Sequence, residues 1–345
     1  MTAPRVAIVG ATGAVGQVAL QVLEERNFPV GGLHLCASER SLGKRIPFRG
    51  RDYEVELATP QLFAECDLAL ISVSAAVSRE LAPMAVAQGC VVIDDSSAFR
   101  MQPNVPLVVP EVNAADAEAH EGILSIPNCS TTPVVMALWP IHQVNPVRRI
   151  VAATYQSVSG TGKAAVEELR VQSAQALEGR PVSPDQYPHQ IAFNVIPQVE
   201  GFLDDGYTNE ERKMRDETRK IMHAPDLAVS ATCVRVPVVV SHSEALHVEF
   251  ERPVSPDEAR RLMTGFPGLT IVDDPAASAY PMPIDAQDSD QVYVGRIRED
   301  SSLPGALAMW VVSDNLRKGA ATNAVQIAEE LLERGALLRP VPHGA

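Results

Sequence analysis

The segment RVAIVGATGAVGQ, residues 5–17, restricts the possible folds more than any other part of the sequence. Its apolar start, Arg5–Val9, predicts a strand, and Val15–Glu25 has helical spacing. The glycines between them follow the spacing G-x-x-G-x-x-G rather than the commoner G-x-G-x-x-G. A glycine loop between a strand and a helix is the context of a dinucleotide phosphate site. We predict that this site is formed by Gly10, Thr12, Gly13, Ala14, Val15 and Gly16.

Strands and helices alternate through the first third of the chain, as expected for a doubly wound parallel sheet. Apolar runs at Leu33–Ala37, Leu68–Val73 and Cys90–Ile93 predict buried strands, and Val77–Ala87 predicts a helix. After Arg149, longer segments often alternate apolar and polar residues, which favours an antiparallel sheet. These segments are Arg149–Val158, Ala228–Val236, Val238–Phe250, Gln291–Arg298 and Ala306–Val312. Helices are predicted at Lys163–Glu178, Asn209–Met222, Pro256–Thr264 and Asn315–Glu333.

The fold class that these patterns predict is α/β, with two domains in 345 residues. A Rossmann-like domain is expected over residues 1–127, completed by a C-terminal helix within 315–345. An α+β catalytic and dimerisation domain is expected over 128–314, with a mixed, largely antiparallel sheet.

Composition excludes several classes of function. A net charge of −14 argues against nucleic acid as a partner, because phosphate backbones need a basic surface. No apolar stretch reaches the roughly 18 residues of a membrane span. The N-terminal segment enters a strand pattern without signal-peptide features. The five scattered cysteines form neither a CxxC motif nor a cluster at zinc spacing, so we expect a cytoplasmic protein without a metal site.

A lone cysteine, Cys129, lies in the stretch IPNCSTTPVV, residues 126–135. The hydroxyl residues and Pro133 after it are a helix start signal. We therefore place Cys129 just before a helix N-terminus, where backbone N–H groups and the helix dipole favour a thiolate. A buried structural cysteine is the alternative. The position predicts a nucleophile that needs a base elsewhere in the chain.

The end of the second predicted strand, ASERS, indicates which dinucleotide is bound. Ser38, Arg40 and Ser41 suit a ribose 2′-phosphate, so NADP(H) is the expected cofactor. Glu39 opposes this choice, because a carboxylate repels that phosphate. In an extended loop, Glu39 would point away from the side on which Ser38 and Arg40 lie.

Several motifs, in order along essentially the whole chain, resemble those of the aspartate-β-semialdehyde dehydrogenase family. They are GATGAVG, SSAFR, VVPEVN, PNCSTTP, TYQSVSGTG, EERKM and RVPVVVSHSE. The resemblance implies an NADP-dependent phosphorylating aldehyde dehydrogenase. Such an enzyme reduces L-aspartyl 4-phosphate with NADPH to aspartate semialdehyde and phosphate, through a cysteine thioester. This reaction supplies the diaminopimelate/lysine, threonine and methionine pathways.

The resemblance also implies roles for catalytic residues. Cys129 would attack the acyl phosphate, and His242 would accept the thiol proton and later protonate the departing oxygen. Gln156 would orient the acyl group. Asn128 and nearby backbone N–H groups would stabilise the oxyanion. His247 is a rival to His242 for the acid/base role.

Four charged residues would hold the substrate. The fork of Arg235 suits the α-carboxylate, Glu210 the ammonium, and Lys213 with Arg100 the phosphate. Glu210 and Lys213 share one helix face as an i, i+3 pair, for which a surface salt bridge is the alternative. Ser159, Gly160 and Asn315 would contact the nicotinamide half of the cofactor.

One stretch departs from the family, and other readings remain open. Where the family commonly has S-A-G-G-S, this chain has Ser72-Val73-Ser74-Ala75-Ala76, so both glycines that permit close cofactor approach are absent. An N-acetylglutamyl-phosphate reductase would share the chemistry, but it typically has glycine where Asn128 stands. Phosphorylating glyceraldehyde-phosphate dehydrogenase is a more distant alternative, and a non-catalytic binding protein is another. A homodimer or a dimer of dimers is expected.

Overall fold

A computed structural model describes residues 3–337 of the chain. They form two compact units, residues 3–127 with 320–337, and Asn128–Gly319. The part of the predicted C-terminal helix beyond residue 337 lies outside the described residues. None of the helices within residues 3–337 is long and apolar enough to cross a membrane.

The strands and helices are numbered in chain order. The strands are β1 Arg5–Val9, β2 Gly32–Cys36, β3 Arg45–Phe48, β4 Arg51–Glu56, β5 Leu68–Ile71, β6 Val91–Asp94, β7 Ile123–Ser125, β8 Val147–Gln156, β9 Ala228–Arg235, β10 His242–Phe250, β11 Leu269–Ile271, β12 Val292–Glu299 and β13 Leu307–Ser313. The α-helices are α1 Ala14–Glu25, α2 Pro60–Ala64, α3 Ala75–Ala87, α4 Pro110–Asn113, α5 Thr131–His142, α6 Lys163–Leu177, α7 Asn209–Ile221, α8 Pro256–Met263, α9 Pro283–Ala286 and α10 Thr322–Glu333.

The first unit contains a seven-stranded sheet in the order β3-β4-β2-β1-β5-β6-β7. All neighbouring strands run parallel except the β3–β4 pair. Alternate residues of β1 enter two different hydrophobic clusters, Val6 and Ile8 one, Ala7 and Val9 the other. A sheet buried on both faces requires strands that are apolar along their buried length, as β5 is and as β1 is after the exposed Arg5. The predicted α/β fold class is confirmed.

The glycine loop lies where the strand order reverses, because β1 pairs with β2 on one side and β5 on the other. Ligands of open α/β sheets bind at this switch point. Gly10 follows β1 directly and has φ +92°, and a Cβ there would lie 2.2 Å from the Ser72 carbonyl oxygen. A Cβ on Gly16 would lie 2.3 Å from the Gly10 carbonyl oxygen. The tight loop therefore requires glycine at both positions.

One local expectation in this unit was wrong, and one element was missed. Residues Glu39–Ser41 form one turn of 3₁₀ helix rather than an extended loop, so successive side chains do not alternate between opposite sides. The antiparallel edge hairpin of β3 and β4 was not predicted.

Residues 72–76, where the sequence departs from the family pattern, lead into α3 and form its first residues. Ser74 caps this helix by accepting a hydrogen bond from the Val77 N–H (3.4 Å). None of these five residues has a positive φ, so serine and alanine fit the backbone without strain.

The second unit contains a six-stranded sheet in the order β11-β12-β13-β10-β8-β9. The three central neighbour pairs are antiparallel, and the two outer pairs, β11–β12 and β8–β9, are parallel. This is the mixed, largely antiparallel sheet that was predicted. The strand expected from Val238 begins only at His242, because Ser241 has φ +74° and breaks the extended backbone.

We predict that Gly16→Ala destabilises the first unit. The added Cβ meets backbone atoms, the Gly10 carbonyl and the Ala11 Cα (2.8 Å), which cannot rotate away. Overpacking of this kind costs about 1–3 kcal/mol in the free energy of unfolding, measurable by chemical denaturation. Gly32→Ala is the matched control, because its nearest neighbour would be the flexible Arg5 side chain at 3.4 Å. Equal stability of the two variants would contradict the prediction.

Candidate active site

A cavity of about 360 Å³ opens in the second unit. Eight of the residues predicted for the site line it. They are Asn128, Cys129, Gln156, Gly160, Glu210, Lys213, Arg235 and His242. Residues that the sequence did not indicate complete the lining, among them Tyr187 and Glu200.

Three strand ends bring the catalytic candidates to one edge of the sheet. Gln156 is the last residue of β8 and pairs directly with Arg235, the last residue of β9. His242 is the first residue of the neighbouring strand β10. Because these strands end or begin together, residues far apart in sequence become neighbours in space.

Cys129 precedes α5 by two positions, as predicted, with Ser130 as the N-cap residue. The other four cysteines are buried, while Cys129 is half-buried. Burial raises the pKa of Cys36 to about 12 and of Cys66 to about 11, which keeps them as inert thiols. The backbone at Gly319 passes close to Cys129. A Cβ at position 319 would lie 2.8 Å from the Cys129 Cβ, so a side chain there would displace the cysteine.

Ser130 takes the N-cap position, but its hydroxyl does not cap the helix. Ser130 Oγ makes no cap hydrogen bond in α5. It accepts from Asn128 Nδ2 (2.7 Å) and donates to Glu210 Oε1 (3.3 Å). The hydroxyl thus belongs to the wall of the cavity.

Glu210 is the buried centre of the polar network. Its Oε1 accepts from Asn128 Nδ2 and Gln156 Nε2, both at 2.7 Å. Its Oε2 lies 3.2 Å from Lys213 Nζ. Burial raises the pKa of Glu210, but the Lys213 charge and the two amide donors outweigh it and lower the pKa to about 2. The carboxylate is therefore ionised at neutral pH.

Lys213 lies between two carboxylates. Besides Glu210, it contacts Glu200 Oε1 at 2.5 Å. Glu200 sits in the irregular segment before α7 with φ +64°. The charged helix α7 therefore carries a cavity-facing ion pair rather than a surface one.

Asn128 is fixed by hydrogen bonds on both sides. Its backbone N–H donates to Glu217 Oε2 (2.6 Å), and its Nδ2 donates to Ser130 and Glu210. Its Oδ1 is turned towards Cys129 Sγ, 3.7 Å away. To act as the predicted oxyanion donor, the side-chain amide of Asn128 would have to rotate.

Arg235 is held from two directions. Its Nη1 donates to the Ser157 carbonyl oxygen (2.6 Å), and the Tyr187 ring centroid lies 5.9 Å from its Cζ. Its Nε is buried and has no hydrogen-bond partner among the described residues. A guanidinium fixed in this way presents donors to the cavity, as binding of a planar carboxylate requires.

His242 is fully buried. Its Nδ1 receives the Ser157 backbone N–H at 3.0 Å. Its Nε2 has no partner among the described residues. Burial, and then the Arg235 charge, lower the pKa of His242 to about 3, so the ring is neutral at physiological pH. The rival His247 is not in the cavity lining and pairs with Asp300 (2.6 Å).

The predicted nicotinamide contacts Ser159 and Asn315 are buried behind this histidine. Asn315 Nδ2 donates to Ser159 Oγ (3.0 Å), and Asn315 Oδ1 accepts from Ser157 Oγ (3.1 Å) and the Ser241 N–H (2.9 Å). No sequence pattern indicated that Ser157 and Ser241 belong to the same network.

The remaining predicted residues lie in the first unit. Arg100 is buried and donates to the Asp95 carbonyl oxygen (2.7 Å). Ser38 and Arg40 are exposed, and Ser41 Oγ lies 3.4 Å from Thr12 Oγ1. Lys44, which the sequence analysis overlooked, donates to Ser41 Oγ at 3.5 Å. Among residues 3–337, no three histidine, cysteine, aspartate or glutamate side chains are grouped as metal ligands.

Comparison with known proteins decides the family. A family model described as "Semialdehyde dehydrogenase, NAD binding domain" matches residues 5–120, and one described as "Semialdehyde dehydrogenase, dimerisation domain" matches residues 138–318. The aspartate-semialdehyde dehydrogenase of Aquifex aeolicus is 52% identical, over 96% of this chain and 98% of that protein. The chain belongs to the aspartate-semialdehyde dehydrogenase family.

Solved structures of the family have the same fold. Aspartate semialdehyde dehydrogenase II from Vibrio cholerae, complexed with ASA, superposes with a TM-score of 0.94 at 44% identity. The match covers 96% of this chain and 99% of that one. The Candida albicans enzyme with NADP has a TM-score of 0.76 at 26% identity, over 96% and 99% of the two chains.

Proposed function

We propose that this chain catalyses the NADPH-dependent reductive dephosphorylation of L-aspartyl 4-phosphate to L-aspartate 4-semialdehyde and phosphate. The observation that carries the proposal is the cavity that holds Cys129, His242, Arg235 and the Glu210–Lys213 pair together. These groups match the reacting carbon and the three charged parts of the substrate. Incubation of the pure protein with aspartate semialdehyde, phosphate and NADP⁺ tests it through the appearance of NADPH absorbance.

The charges of the cavity suit an aminoacyl phosphate. Arg235 would bind the α-carboxylate, and the ionised Glu210 would attract the α-ammonium. Lys213 would bind the phosphate, with Glu200 giving up its place at Nζ. Arg100 is proposed as a second phosphate ligand. Gln156, fixed by Glu210, would orient the acyl group beside Cys129.

The nucleophile is proposed to act in two stages. The Cys129 sulfur attacks the acyl carbon, the bond from carbon to the phosphate oxygen breaks, and a thioester remains. When bound, NADPH would supply the hydride that reduces this thioester. The N-terminus of α5 stabilises negative charge on the sulfur, both in attack and when the aldehyde leaves.

The glycine loop fits the pyrophosphate of a dinucleotide. Its Cβ-free positions let the backbone approach a ligand closely, and helix α1 has no side-chain cap and no acidic residue in its first turn. Orphan N–H groups at such a helix start favour an anion. We propose that Gly10, Thr12, Gly13, Ala14, Val15 and Gly16 hold the pyrophosphate, and Ser38, Arg40, Ser41 and Lys44 the ribose 2′-phosphate. Ser159, Gly160 and Asn315 remain the proposed nicotinamide contacts.

Three alternatives are weaker. An N-acetylglutamyl-phosphate reductase would not need Glu210, because its substrate lacks the ammonium group. A glyceraldehyde-phosphate dehydrogenase shares only the cysteine and threonine start of α5. A non-catalytic binding protein would not need the nucleophile Cys129. The same absorbance assay, run with each aldehyde, separates these possibilities.

We further propose a homodimer formed through the second unit. One face of its sheet carries the Tyr155 and Trp310 rings, 5.2 Å apart, with Tyr155 40% exposed. Burying this apolar face would give a dimer interface. A dimer of dimers is the larger alternative, and mass measurement in solution distinguishes them.

We propose a cytoplasmic location, because the proposed reaction belongs to amino-acid biosynthesis. The two domains are proposed as residues 1–127 with the C-terminal helix, and 128–314.

We predict that Cys129→Ala abolishes semialdehyde oxidation while the protein stays folded. The serine variant should retain only a trace, because a hydroxyl is a much weaker nucleophile than a thiolate at neutral pH. Cys90→Ala is the control, since Cys90 is buried in the first unit. Near-wild-type turnover of the alanine variant, with contaminating enzyme excluded, would contradict the mechanism.

We predict that Arg235→Lys raises the KM for aspartate semialdehyde more than it lowers kcat. Lysine keeps the charge but loses the two-donor fork that matches a carboxylate. Steady-state kinetics with varied semialdehyde measures the split. Arg212→Lys serves as a control, because Arg212 pairs with the exposed Asp205. An unchanged KM would show that Arg235 does not bind the carboxylate.

We predict a preference for NADPH over NADH of at least about tenfold in kcat/KM, a difference of ~1.4 kcal/mol. Arg40→Ala should remove most of this preference with little effect on NADH. The exposed Arg51 on β4 provides the control variant Arg51→Ala. An unchanged ratio in Arg40→Ala, or equal use of both cofactors by the wild type, would mean that Arg40 does not select the 2′-phosphate.

A further inference from the structure

Two carboxylates meet at the lysine that is proposed to bind the substrate phosphate. Glu200 Oε1 lies 2.5 Å from Lys213 Nζ, and Glu210 Oε2 lies 3.2 Å from the same atom. An ammonium group has donors and no acceptor, so both carboxylates occupy the lysine as an anion would. A phosphate that approaches Nζ therefore has to compete with a carboxylate that is already there.

The two carboxylates differ in their freedom to move. The Glu210 side chain is only 4% exposed, and Asn128 and Gln156 donate to its Oε1. The Glu200 side chain is 44% exposed, and within residues 3–337 only Lys213 donates to its carboxylate. A buried carboxylate that lost its lysine would be left as a poorly compensated charge, whereas an exposed one can turn into water. Glu200 is therefore the carboxylate that yields its place.

The backbone keeps Glu200 close to the lysine even when the two side chains separate. Its φ of +64° is a conformation that non-glycine residues rarely adopt. Gln198 Nε2 donates to the Glu200 carbonyl oxygen (3.1 Å), and the Gly201 carbonyl oxygen accepts the N–H of Asn209 (2.9 Å), the first residue of α7. The same helix carries Lys213. A carboxylate tethered in this way competes at a high local concentration, unlike an ion from solution.

We propose that Glu200 is an internal competitor of phosphate: its carboxylate takes the place of phosphate at Lys213 Nζ and shortens the time for which phosphate is retained. This rests on the proposed function, in which phosphate leaves as the thioester forms. A phosphate retained in the cavity would attack the thioester and re-form the acyl phosphate. Replacement of phosphate by Glu200 thus favours the forward reaction. Only ion pairs are exchanged in this step, and no covalent bond forms or breaks.

Calorimetric titration of the protein with inorganic phosphate, without aldehyde or cofactor, tests the competition. We expect Glu200→Gln to lower the Kd for phosphate about tenfold, the equivalent of ~1.4 kcal/mol. Glutamine keeps the size of the side chain but removes the charge. Asp205→Asn is the matched control, because it removes one charge from the same irregular segment, where Asp205 pairs with the exposed Arg212. Its Kd should stay within about twofold of the wild type.

A double-mutant cycle shows whether the effect acts through the lysine. Lys213→Met should weaken phosphate binding, and Glu200→Gln should then have no further effect in that background. An unchanged or weaker affinity in Glu200→Gln alone would mean that Glu200 only positions Lys213, and it would overturn the proposal. A gain that persists without Lys213, or that Asp205→Asn reproduces, would show a general effect of charge and would overturn it as well.

Steady-state kinetics measures the same competition during turnover. In the direction of semialdehyde oxidation, Glu200→Gln should lower the KM for phosphate by about the factor found for Kd. It should leave the KM for aspartate semialdehyde within about twofold, and an equal change in both KM values would contradict a role at the phosphate. If the wild type fails to oxidise aspartate semialdehyde, the proposed function fails, while the phosphate titrations still decide whether Glu200 competes for Lys213.

Discussion

The buried carboxylate of Glu210 organises the cavity. It accepts hydrogen bonds from Asn128 in the loop before α5 and from Gln156 at the end of β8, 82 and 54 residues away in sequence. A buried charge is tolerated only where partners satisfy it. Lys213 and the amide donors satisfy this one, and in return they are fixed in position. The Cys129 loop, the β8 end and helix α7 thus depend on one charge.

Helix α7 also shows why part of the site could not be predicted from sequence. NEERKMRDETRK looks like a solvated helix, and its most charged positions normally face water. In the structure, Glu211 Oε1 accepts the Cys233 N–H and Glu217 Oε2 accepts the Asn128 N–H. Their partners come from distant segments, so no local periodicity records them. The family resemblance placed Glu210 and Lys213 in the site where spacing alone favoured a surface salt bridge.

Elements with strong local signals were predicted well. The apolar runs of β1 and β5 and the start signal of α5 identified them, because burial on both faces or a helix start leaves a local pattern. The edge hairpin was missed, since RIPFRGRDYEVE mixes charges with a proline, as edge strands do. The turn at Glu39–Ser41 was missed because three polar residues carry no periodicity. Tyr187 and Glu200 lie in irregular backbone, where sequence pattern gives no direction for a side chain.

The charges of the cavity explain why a neutral histidine fits there. Arg235 and Lys213 provide two positive charges, and Glu210 and Glu200 two negative charges, while an aminoacyl phosphate brings a carboxylate, an ammonium and a phosphate. In the proposed complex, opposite charges would meet at each end of such a ligand. In the proposed reaction, an uncharged carbonyl beside Cys129 would gain negative charge between these groups. A neutral imidazole beside Cys129 costs less to bury than a second cation next to Arg235. Burial of His242, and then the Arg235 charge, thus keep the ring uncharged in the cavity.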